Sequence, residues 1–583
     1  MSAHAQVTPK AAAAEDTSLQ EVVVTGSRIA RPDLDNMQPT TTIDSKTFDT
    51  RGYLDVGQAL NALPGFGVPP SSAEQTQTTA GIGQSFVDLY GLGSQRTLVL
   101  VDGRRFVSSN TASLNGSGAN NPLGGPGDQV DLNVIPTKLV DRIETISVGG
   151  APIYGADAIA GTVNIILKHD YEGLDIDGQV GATGQGDAWN YRTRVLAGTN
   201  FLDGRGNVTA VAEFTKTDGL VGAARPVYAG DLGFNAPATP GPFSQVLTAP
   251  LTVPGVSFGG IPYVDDGVFF SPSAQNGKAV GVTNAAGQTL AFGPGGTLQP
   301  YSFPASGNPV FTTGGDGLRL SQVSNLLSPT ERVNVDTLGN LKIGESWGAF
   351  AEGWFSESHG TNLIAQPAYT SSLFGAAGTP NGDFIISVNN PYLTAADRTS
   401  IQNALNAYAA QVTGSGGSFN YPGWNPNQFY LARANIDLED NAAVATQTLA
   451  RGVLGLKGDF AIFDHKYNWE VAANYGESSN TATQPSLVYQ NVVNALNSTT
   501  NSAGQIVCAG TPVNAPTTTT SSACAPLNVF GVGSPSLAAQ QYITHLAQQT
   551  SYNTRCSTRC RRSRLWPARR VTSRPRSRNT LRA

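Results

Sequence analysis

Hydrophobic and polar residues alternate with a period of two along several stretches of the chain after Glu172. In the first stretch, apolar side chains are separated by acidic and amide ones: Leu174, Ile176 and Val180 against Asp175, Asp177 and Gln179. This period is that of a β-strand with one apolar and one polar face. Eight stretches have it: residues 172–180, 189–197, 208–214, 332–342, 346–355, 430–438, 450–460 and 467–475.

Two architectures fit this alternation. A transmembrane β-barrel turns one face to lipid and one to a polar lumen, whereas a soluble β-sandwich alternates in the same way. Residues 221–330 and 359–428 are long and rich in Gly, Pro, Ser and Asn, and short connections lie between other strands. Such asymmetry favours a barrel with long external loops. Aromatic residues in the loops are expected either to contact a ligand or to pack the loops themselves: Phe269, Phe270, Tyr301, Tyr421 and Trp424.

The region before Glu172 has a different pattern, which predicts a compact α+β unit over residues 38–170. A helix is expected over Asp55–Leu63, because Pro64-Gly65 ends it. Residues 97–107 are expected to form a β-hairpin, since Asp102-Gly103 is a strong tight-turn pair. Further elements are expected in this unit: a helical turn that opens at Ile135-Pro136, a strand over residues 142–148, and a Gly-rich turn, a short helix and a strand over residues 149–168.

A short β-branched run, Glu21–Ile29, lies between an Ala-rich leader and a polar, Pro-containing segment. An isolated strand of this kind suits addition to the sheet edge of another protein, because main-chain hydrogen bonds supply the affinity. It is equally compatible with an edge strand of the unit that follows.

Composition narrows the class of protein. A chain of 583 residues is too long for one ordinary core. Only 13% of the residues are charged, against about 25% in typical soluble proteins. No run of 18 apolar residues occurs, so a transmembrane helix is not expected. Before Arg555 there are 25 Lys and Arg against 42 acidic residues, a net charge of 25 − 42 = −17. This charge argues against nucleic acid as a partner of that region.

The two ends of the chain have unusual sequences. Ala3-His4-Ala5 matches the small-x-small site of a signal peptidase, so we interpret residues 1–20 as a signal-peptide remnant and flexible leader. Residues 555–583 contain eleven Arg and neither Lys nor an acidic residue. They fit either a basic nucleic-acid-binding tail or an out-of-frame tail, and we favour the second. It also explains the loss of alternation after residue 554.

Cys508 and Cys524 bracket a Thr/Ser/Pro-rich segment that has the character of an exposed loop. We predict a disulfide between them in an oxidising compartment. Metal binding is disfavoured, because no His or further Cys stands beside them at zinc-ligand spacing.

Three ordered blocks resemble the plug domain of TonB-dependent outer-membrane receptors: residues 89–105, 131–136 and 149–168. The likeness is to the large receptors of Caulobacter-like, Sphingomonas-like and Xanthomonas-like bacteria. One departure is Tyr90, where the family usually carries an Arg that helps to hold the plug to the barrel. The matching plug-motif residues are Arg96, Asp102, Gly103, Arg104, Arg105, Gly149, Gly150, Tyr154, Gly155, Asp157, Gly161 and Asn164. The early strand resembles the TonB box, whose residues here are Glu21, Val22, Val23, Val24, Thr25 and Gly26.

The resemblance implies a TonB box over residues 21–29, an α+β plug over 38–170 and an antiparallel transmembrane β-barrel over 171–554. Eight strands are too few to enclose a domain, so the barrel is incomplete. Charged plug residues are expected either to pair with the barrel lumen or to stabilise the plug itself: Arg104, Arg105, Arg142, Glu144 and Asp157.

The function that the resemblance implies is active import of a scarce ligand, such as an iron chelate, a saccharide or another nutrient, across the bacterial outer membrane. The implied partners are the periplasmic TonB protein with its inner-membrane proton-motive complex, outer-membrane lipid and a small ligand. A passive porin and a ligand-binding surface protein are the alternatives. No cofactor is implied. The five His residues are scattered, with no nucleophile or acid/base pair beside them, so no enzymatic activity is expected.

Overall fold

The computed structural model describes most of the chain between residues 40 and 582. The described ranges are 40–67, 82–109, 129–147, 154–235, 245–265, 280–302, 312–323, 325–363, 368–369, 384–417, 419, 424–438, 442–462, 465–509, 524–562 and 578–582.

In the described residues, the first unit, which we call the plug, contains seven strands and two α-helices. They are β1 Thr40–Asp44, α1 Ser45–Arg51, α2 Val56–Asn61, β2 Phe66–Gly67, β3 Asp88–Leu89, β4 Thr97–Val101, β5 Arg104–Arg105, β6 Val140–Ile146 and β7 Gly161–Leu167. Five of the strands form one sheet in the order β1-β6-β7-β4-β5, and β2 pairs with β3. Strands β4 and β7 are parallel, and the other neighbours in the sheet are antiparallel.

Local signals explain the plug elements. The Asp55 side chain accepts a hydrogen bond from the Gln58 amide (2.9 Å) and caps α2. Between β4 and β5, Asp102 and Gly103 both adopt positive φ, at 47° and 69°. This is the geometry of a tight hairpin turn. The helix and the hairpin that the sequence predicts are therefore both present.

The second unit is a nine-stranded antiparallel sheet, which we call the wall, with its strands in chain order. The strands are β8 Gly173–Gly181, β9 Asn190–Phe201, β10 Gly206–Thr217, β11 Thr330–Lys342, β12 Trp347–Leu363, β13 Ala442–Ile462, β14 His465–Leu487, β15 Thr544–Arg562 and β16 Arg578–Arg582. Among the described residues the sheet stays open, with β8 and β16 at its edges. The predicted α+β plug followed by an incomplete antiparallel barrel is confirmed.

The two faces of the wall differ as the alternation predicts. On β8 the side chains of Leu174, Ile176 and Val180 are 66%, 63% and 64% exposed. On the opposite face, Arg192 and Arg194 of β9 are buried. This inner face packs on the plug, because one hydrophobic core contains plug residues such as Val163 and Ile165 and five residues of the wall: Leu196, Val211, Leu338, Trp354 and Leu449.

Two differences from the predicted strands are informative. The prediction of a barrel strand at residues 430–438 is wrong, because Gln428–Ala434 pairs in a separate small sheet. Its residues after Gln428 are buried on both faces, as in a soluble core. Conversely, the sequence did not predict β15, which pairs with β14 from Leu487↔Thr544 to Trp469↔Arg562. The wall therefore continues into the basic tail.

The long connections between wall strands fold into a lobe with cores of its own. Its helices are α3 Pro226–Ala229, α4 Ala395–Gly414, α5 Tyr489–Leu496 and α6 Leu537–Ile543. Its short strands are Leu220–Val221, Gly233–Asn235, Val246–Thr248, Leu251–Thr252, Ile261–Asp265, Val280–Gly281, Leu290–Phe292, Leu298–Pro300, Thr312–Thr313, Asn325–Leu327, Ala368–Tyr369, Phe384–Ser387, Gln428–Ala434, Ser498–Thr500 and Ile506–Cys508. None of the helices in the described part of the chain has the length and apolarity that crossing a membrane requires.

Loop aromatics and cysteines stabilise this lobe. Trp424 stacks on Phe419 at 4.1 Å and donates through Nε1 to the Val264 carbonyl oxygen at 2.7 Å. Tyr301 is buried, and its hydroxyl donates to the Pro254 carbonyl oxygen at 2.9 Å. Both aromatics pack the lobe. Phe269, Phe270 and Tyr421 lie outside the described residues. Cys508 and Cys524 are joined by a disulfide.

Candidate functional site

Arg104 anchors the plug to the wall. It lies on β5, directly after the Asp102-Gly103 turn, and is 6% exposed. Its guanidinium forms an ion pair with Glu352 of β12 and reaches Glu470 Oε1 of β14 at 3.3 Å. Burial by itself lowers the pKa of Arg104, but the carboxylates, Glu352 foremost, raise it above its ordinary value. Arg104 therefore remains charged at the interface.

A second arginine, Arg451 on β13 of the wall, shares the same carboxylate. Its Nη1 lies 3.0 Å from Glu352 Oε2, and its Nε donates to Asn474 Oδ1 at 3.1 Å. The Arg451 guanidinium also stacks over the rings of Phe106 of the plug (4.7 Å) and Trp354 of the wall (5.4 Å). The sequence reasoning missed Arg451, Glu352 and Glu470. The sequence did contain one signal that could have revealed these three residues: they are charged residues on predicted strands, in a part of the chain that has few charges.

The turn that presents Arg104 is itself tied to the end of the plug. Asp102 Oδ1 accepts from the Leu167 amide at 3.1 Å, and Asp102 Oδ2 lies 3.0 Å from His169 Nε2. The Gly103 amide donates to Asn164 Oδ1 at 2.8 Å. Burial raises the pKa of Asp102, but its contacts with His169 and Arg104 outweigh burial and lower it. Of the predicted motif residues, Asp102, Gly103, Arg104 and Asn164 thus form one assembly.

A second charged cluster joins the plug to β8 and β9. Lys138 of the plug lies 2.8 Å from Asp175 and 2.7 Å from Asp177. Arg194 of β9 bridges Asp49 of α1 and Asp177, at 2.8 Å in each case. The plug is therefore held to the wall at two separate places by ionic contacts.

Other predicted residues lie inside the plug. Arg105 pairs with Asp157 and donates to the Tyr154 carbonyl oxygen at 2.5 Å. Arg142 lies 2.9 Å from both Asp141 and Glu144. Arg96 donates to the Leu92 carbonyl oxygen at 2.6 Å. These charged pairs connect plug residues to one another.

Three of the remaining residues singled out in the sequence have positive φ. Gly155 has a φ of 95°, Gly161 one of 155° and Tyr90 one of 60°. Tyr90 is 53% exposed, and its amide donates to the Gly65 carbonyl oxygen at 2.6 Å. Gly149, Gly150 and the strand Glu21–Gly26 lie outside the described residues.

Asp131 is a buried acid where the plug meets the wall. Its Oδ1 accepts from the amides of Ser85 at 2.8 Å and Asn133 at 3.0 Å. Its Oδ2 has no hydrogen-bond partner among the described residues. Burial raises the pKa of Asp131 to about 6, although Arg332 of the wall lowers it. The folded plug therefore retains the Asp131 proton to a higher pH than the unfolded chain does.

This pKa predicts a pH-dependent effect of Asp131→Asn. Between pH 3.8 and about 6, the folded carboxyl keeps a proton that the unfolded one has lost. Wild-type stability therefore falls as pH rises through this window, and the asparagine variant lacks that fall. From pH 4 to pH 7 the variant should gain about 2 kcal/mol relative to wild type, because most of a shift of roughly two pKa units takes effect in this range. Pulse proteolysis in urea measures this difference.

The control for this experiment is Asp141→Asn, which removes a carboxylate that is 47% exposed and pairs with Arg142. We expect its stability difference from wild type to vary little over the same pH range. If Asp131→Asn showed the same flat difference, the assignment of a raised pKa to the buried Asp131 would be wrong.

Comparison with known proteins places the plug in a family. Residues 32–162 match the family model of the TonB-dependent receptor plug domain. A mutant ferric enterobactin receptor from Pseudomonas aeruginosa, solved with enterobactin, is 13% identical over 90% of this chain and 56% of its own, with a TM-score of 0.33. The siderophore receptor PiuA from Acinetobacter baumannii is 12% identical over 92% of this chain and 57% of its own, with a TM-score of 0.35. The chain spans little more than half the length of these receptors.

Proposed function

We propose that this chain, in which residues 32–162 match the plug domain of TonB-dependent receptors, is the plug-bearing part of an importer in the bacterial outer membrane. One observation carries the proposal: the domain that matches the plug family lies against the inner face of the wall and is joined to it by ion pairs. An outward face rich in apolar side chains and an inward face with buried charges suit a barrel between lipid and a lumen.

The contacts between plug and wall suit a domain that has to be displaced. Arg104, Lys138 and Arg194 make much of the connection through ion pairs. Such groups can exchange their partners for water once the lumen is hydrated, whereas the apolar residues that plug and wall share, such as Trp354 and Leu449, are exposed to water at a cost. The interface between plug and wall therefore holds the plug in place but still allows it to be released.

The work of displacement comes from outside the membrane in this proposal. The strand Glu21–Gly26 supplies a free edge to the periplasmic TonB protein, and main-chain pairing allows the strand to be gripped whatever ligand is carried. Inner-membrane proton-motive force then pulls the plug. The ligand is an iron chelate, a saccharide or another scarce nutrient, bound on the outer side, and we expect no enzymatic activity.

Uptake of ligand by living cells tests the proposal. The cells express the gene with a single-base correction that restores the reading frame at the out-of-frame tail, residues 555–583. Labelled iron chelates, saccharides and cobalamin form the panel. We expect accumulation of one ligand, and we expect deletion of residues 21–26 or addition of a protonophore to abolish it.

Deletion of residues 8–13 is the matched control, because it removes the same number of residues from the Ala-rich leader. It should leave uptake unchanged. Uptake that survives both the loss of residues 21–26 and the protonophore would indicate a passive porin and contradict energised import.

A further inference from the structure

The two oxygens of the Glu352 carboxylate contact different units of the protein, one the plug and the other the wall. Oε1 faces Arg104 of the plug. Oε2 accepts from Arg451 Nη1 at 3.0 Å and from Trp354 Nε1 at 3.2 Å, both on the wall. The Glu352 side chain is only 2% exposed, and that of Arg451 is fully buried. Each oxygen of this buried anion therefore has a partner on a different side of the interface.

We propose that Arg451 is a positioning counter-ion, which keeps Glu352 paired when Arg104 leaves, so that the plug can be displaced without stranding a carboxylate in the wall. This inference deepens the proposed function and rests on it in one respect, namely that the plug must move. It assigns to a wall residue a role in the release of the plug.

The geometry supports a pair that stays with the wall. Glu352 lies on β12, Arg451 on β13 and Asn474 on β14, three adjacent strands of one sheet. Arg451 donates to Asn474 Oδ1 at 3.1 Å, and its guanidinium lies 5.4 Å from the centroid of the Trp354 ring. When the plug leaves, Arg451 loses the ring of Phe106 but keeps these wall contacts.

The energetics give Arg451 a definite effect on release. Removal of one partner of a buried ion pair is costly because the remaining charge is uncompensated, typically by a factor of about 100 to 4,000 in an equilibrium constant. If Arg104 were the only cation beside Glu352, each displacement of the plug would carry a penalty of this kind. With Arg451 present, Glu352 is neutralised in both states. Arg104 should therefore hold the plug less tightly in the presence of Arg451 than in its absence.

A double-mutant cycle on plug dissociation tests this inference. The full chain is placed in lipid nanodiscs, a handle is attached at the N-terminus, and the dissociation rate is measured at constant force in optical tweezers. In the wild-type background, Arg104→Gln should accelerate dissociation about tenfold, the typical worth of a charged hydrogen bond. In the Arg451→Gln background, the same change should accelerate it about a hundredfold or more.

Arg451→Gln also removes the contact of Arg451 with Phe106, but this effect is the same with and without Arg104 and cancels in the cycle. The sign of the coupling between Arg104 and Arg451 therefore decides whether the proposal holds. Equal or smaller acceleration by Arg104→Gln in the Arg451→Gln background would overturn the proposal, because Arg451 would then only orient Glu352 for Arg104. Arg451→Lys keeps the charge and should restore the wild-type cycle. If Arg104→Gln accelerated dissociation as much in the Arg451→Lys background as in the Arg451→Gln background, the proposal would also be overturned.

Two further variants serve as a control for the cycle and as a replacement for a variant that does not fold. Arg142→Gln removes an arginine that pairs with Asp141 and Glu144 of its own strand, and it should show no coupling to Arg104. If Arg451→Gln does not fold, Glu352→Gln replaces it. Arg104→Gln should then have a clearly smaller effect in the Glu352→Gln background, because only the contact with Glu470 is left to lose, and a full tenfold effect would contradict the proposal. TonB takes no part in this assay, so its outcome is independent of the import test.

Discussion

Replacement of Gly161 by alanine is expected to lower the free energy of unfolding of the plug by about 3–5 kcal/mol, which is enough to unfold a marginal domain. Gly161 opens β7 and adopts a φ of 155°, a conformation that side chains disfavour. A Cβ atom there would lie 2.5 Å from the Ile146 carbonyl oxygen and 2.5 Å from Leu89 Cδ2. Both neighbours belong to the plug, and the carbonyl is backbone that cannot easily move. Strain and overlap therefore add.

Gly155→Ala is the matched control for this prediction. Gly155 has a φ of 95°, but the nearest atom to its added Cβ is Arg105 Nη2 at 4.0 Å. Only the conformational strain applies, so we expect a loss of about 1–2 kcal/mol. Pulse proteolysis in urea ranks the two variants. Equal losses would show that the close approach at Gly161 is not the dominant cause.

Glu352→Gln is expected to destabilise the contact between plug and wall by about 3–5 kcal/mol, because Arg451 loses its carboxylate partner and Arg104 keeps only Glu470 across the interface. Arg104 is 6% exposed, and the Arg451 side chain is fully buried, so water screens neither charge well. The urea concentration at which protease cleaves the plug measures the effect. The double variant with Arg104→Gln should be little less stable than Glu352→Gln alone, since across the interface Arg104 then keeps only its 3.3 Å contact with Glu470.

Glu357→Gln on the same strand is the control. The Glu357 side chain is 42% exposed and its ion-pair partner is His359, at 3.0 Å. Its loss should cost under about 1 kcal/mol, as expected for a surface pair. A Glu352→Gln variant no less stable than Glu357→Gln would contradict the assignment of Glu352 as the shared anion of the interface.

The sequence predicted the parts of the fold that depend on local pattern. A period of two reveals the wall strands because many inward positions are polar and many outward positions are apolar, although inward residues such as Leu196 and Trp354 pack on the plug. The pattern misled at Gln428–Ala434, where alternating residue types lie on a strand that is buried on both faces. It failed for β15, where polar residues such as Gln548, Thr550 and Asn553 are held by main-chain pairing with β14.

The interface was predictable only from the plug side. Arg104 belongs to a motif whose spacing can be read along the chain. Its partner Glu352 is 248 residues away, and Arg451 is a further 99 residues from Glu352. Which charges meet therefore depends on the register of three wall strands. A shift of one residue would turn Glu352 away from the plug.

Binding of the purified C-terminal domain of TonB to this chain in nanodiscs, with and without residues 21–26, tests the central claim most directly. We predict saturable 1:1 binding by the intact chain, unaffected by deletion of residues 8–13 and lost on deletion of residues 21–26. Binding that persists without residues 21–26, or an intact chain that does not bind the TonB domain, would contradict the assignment.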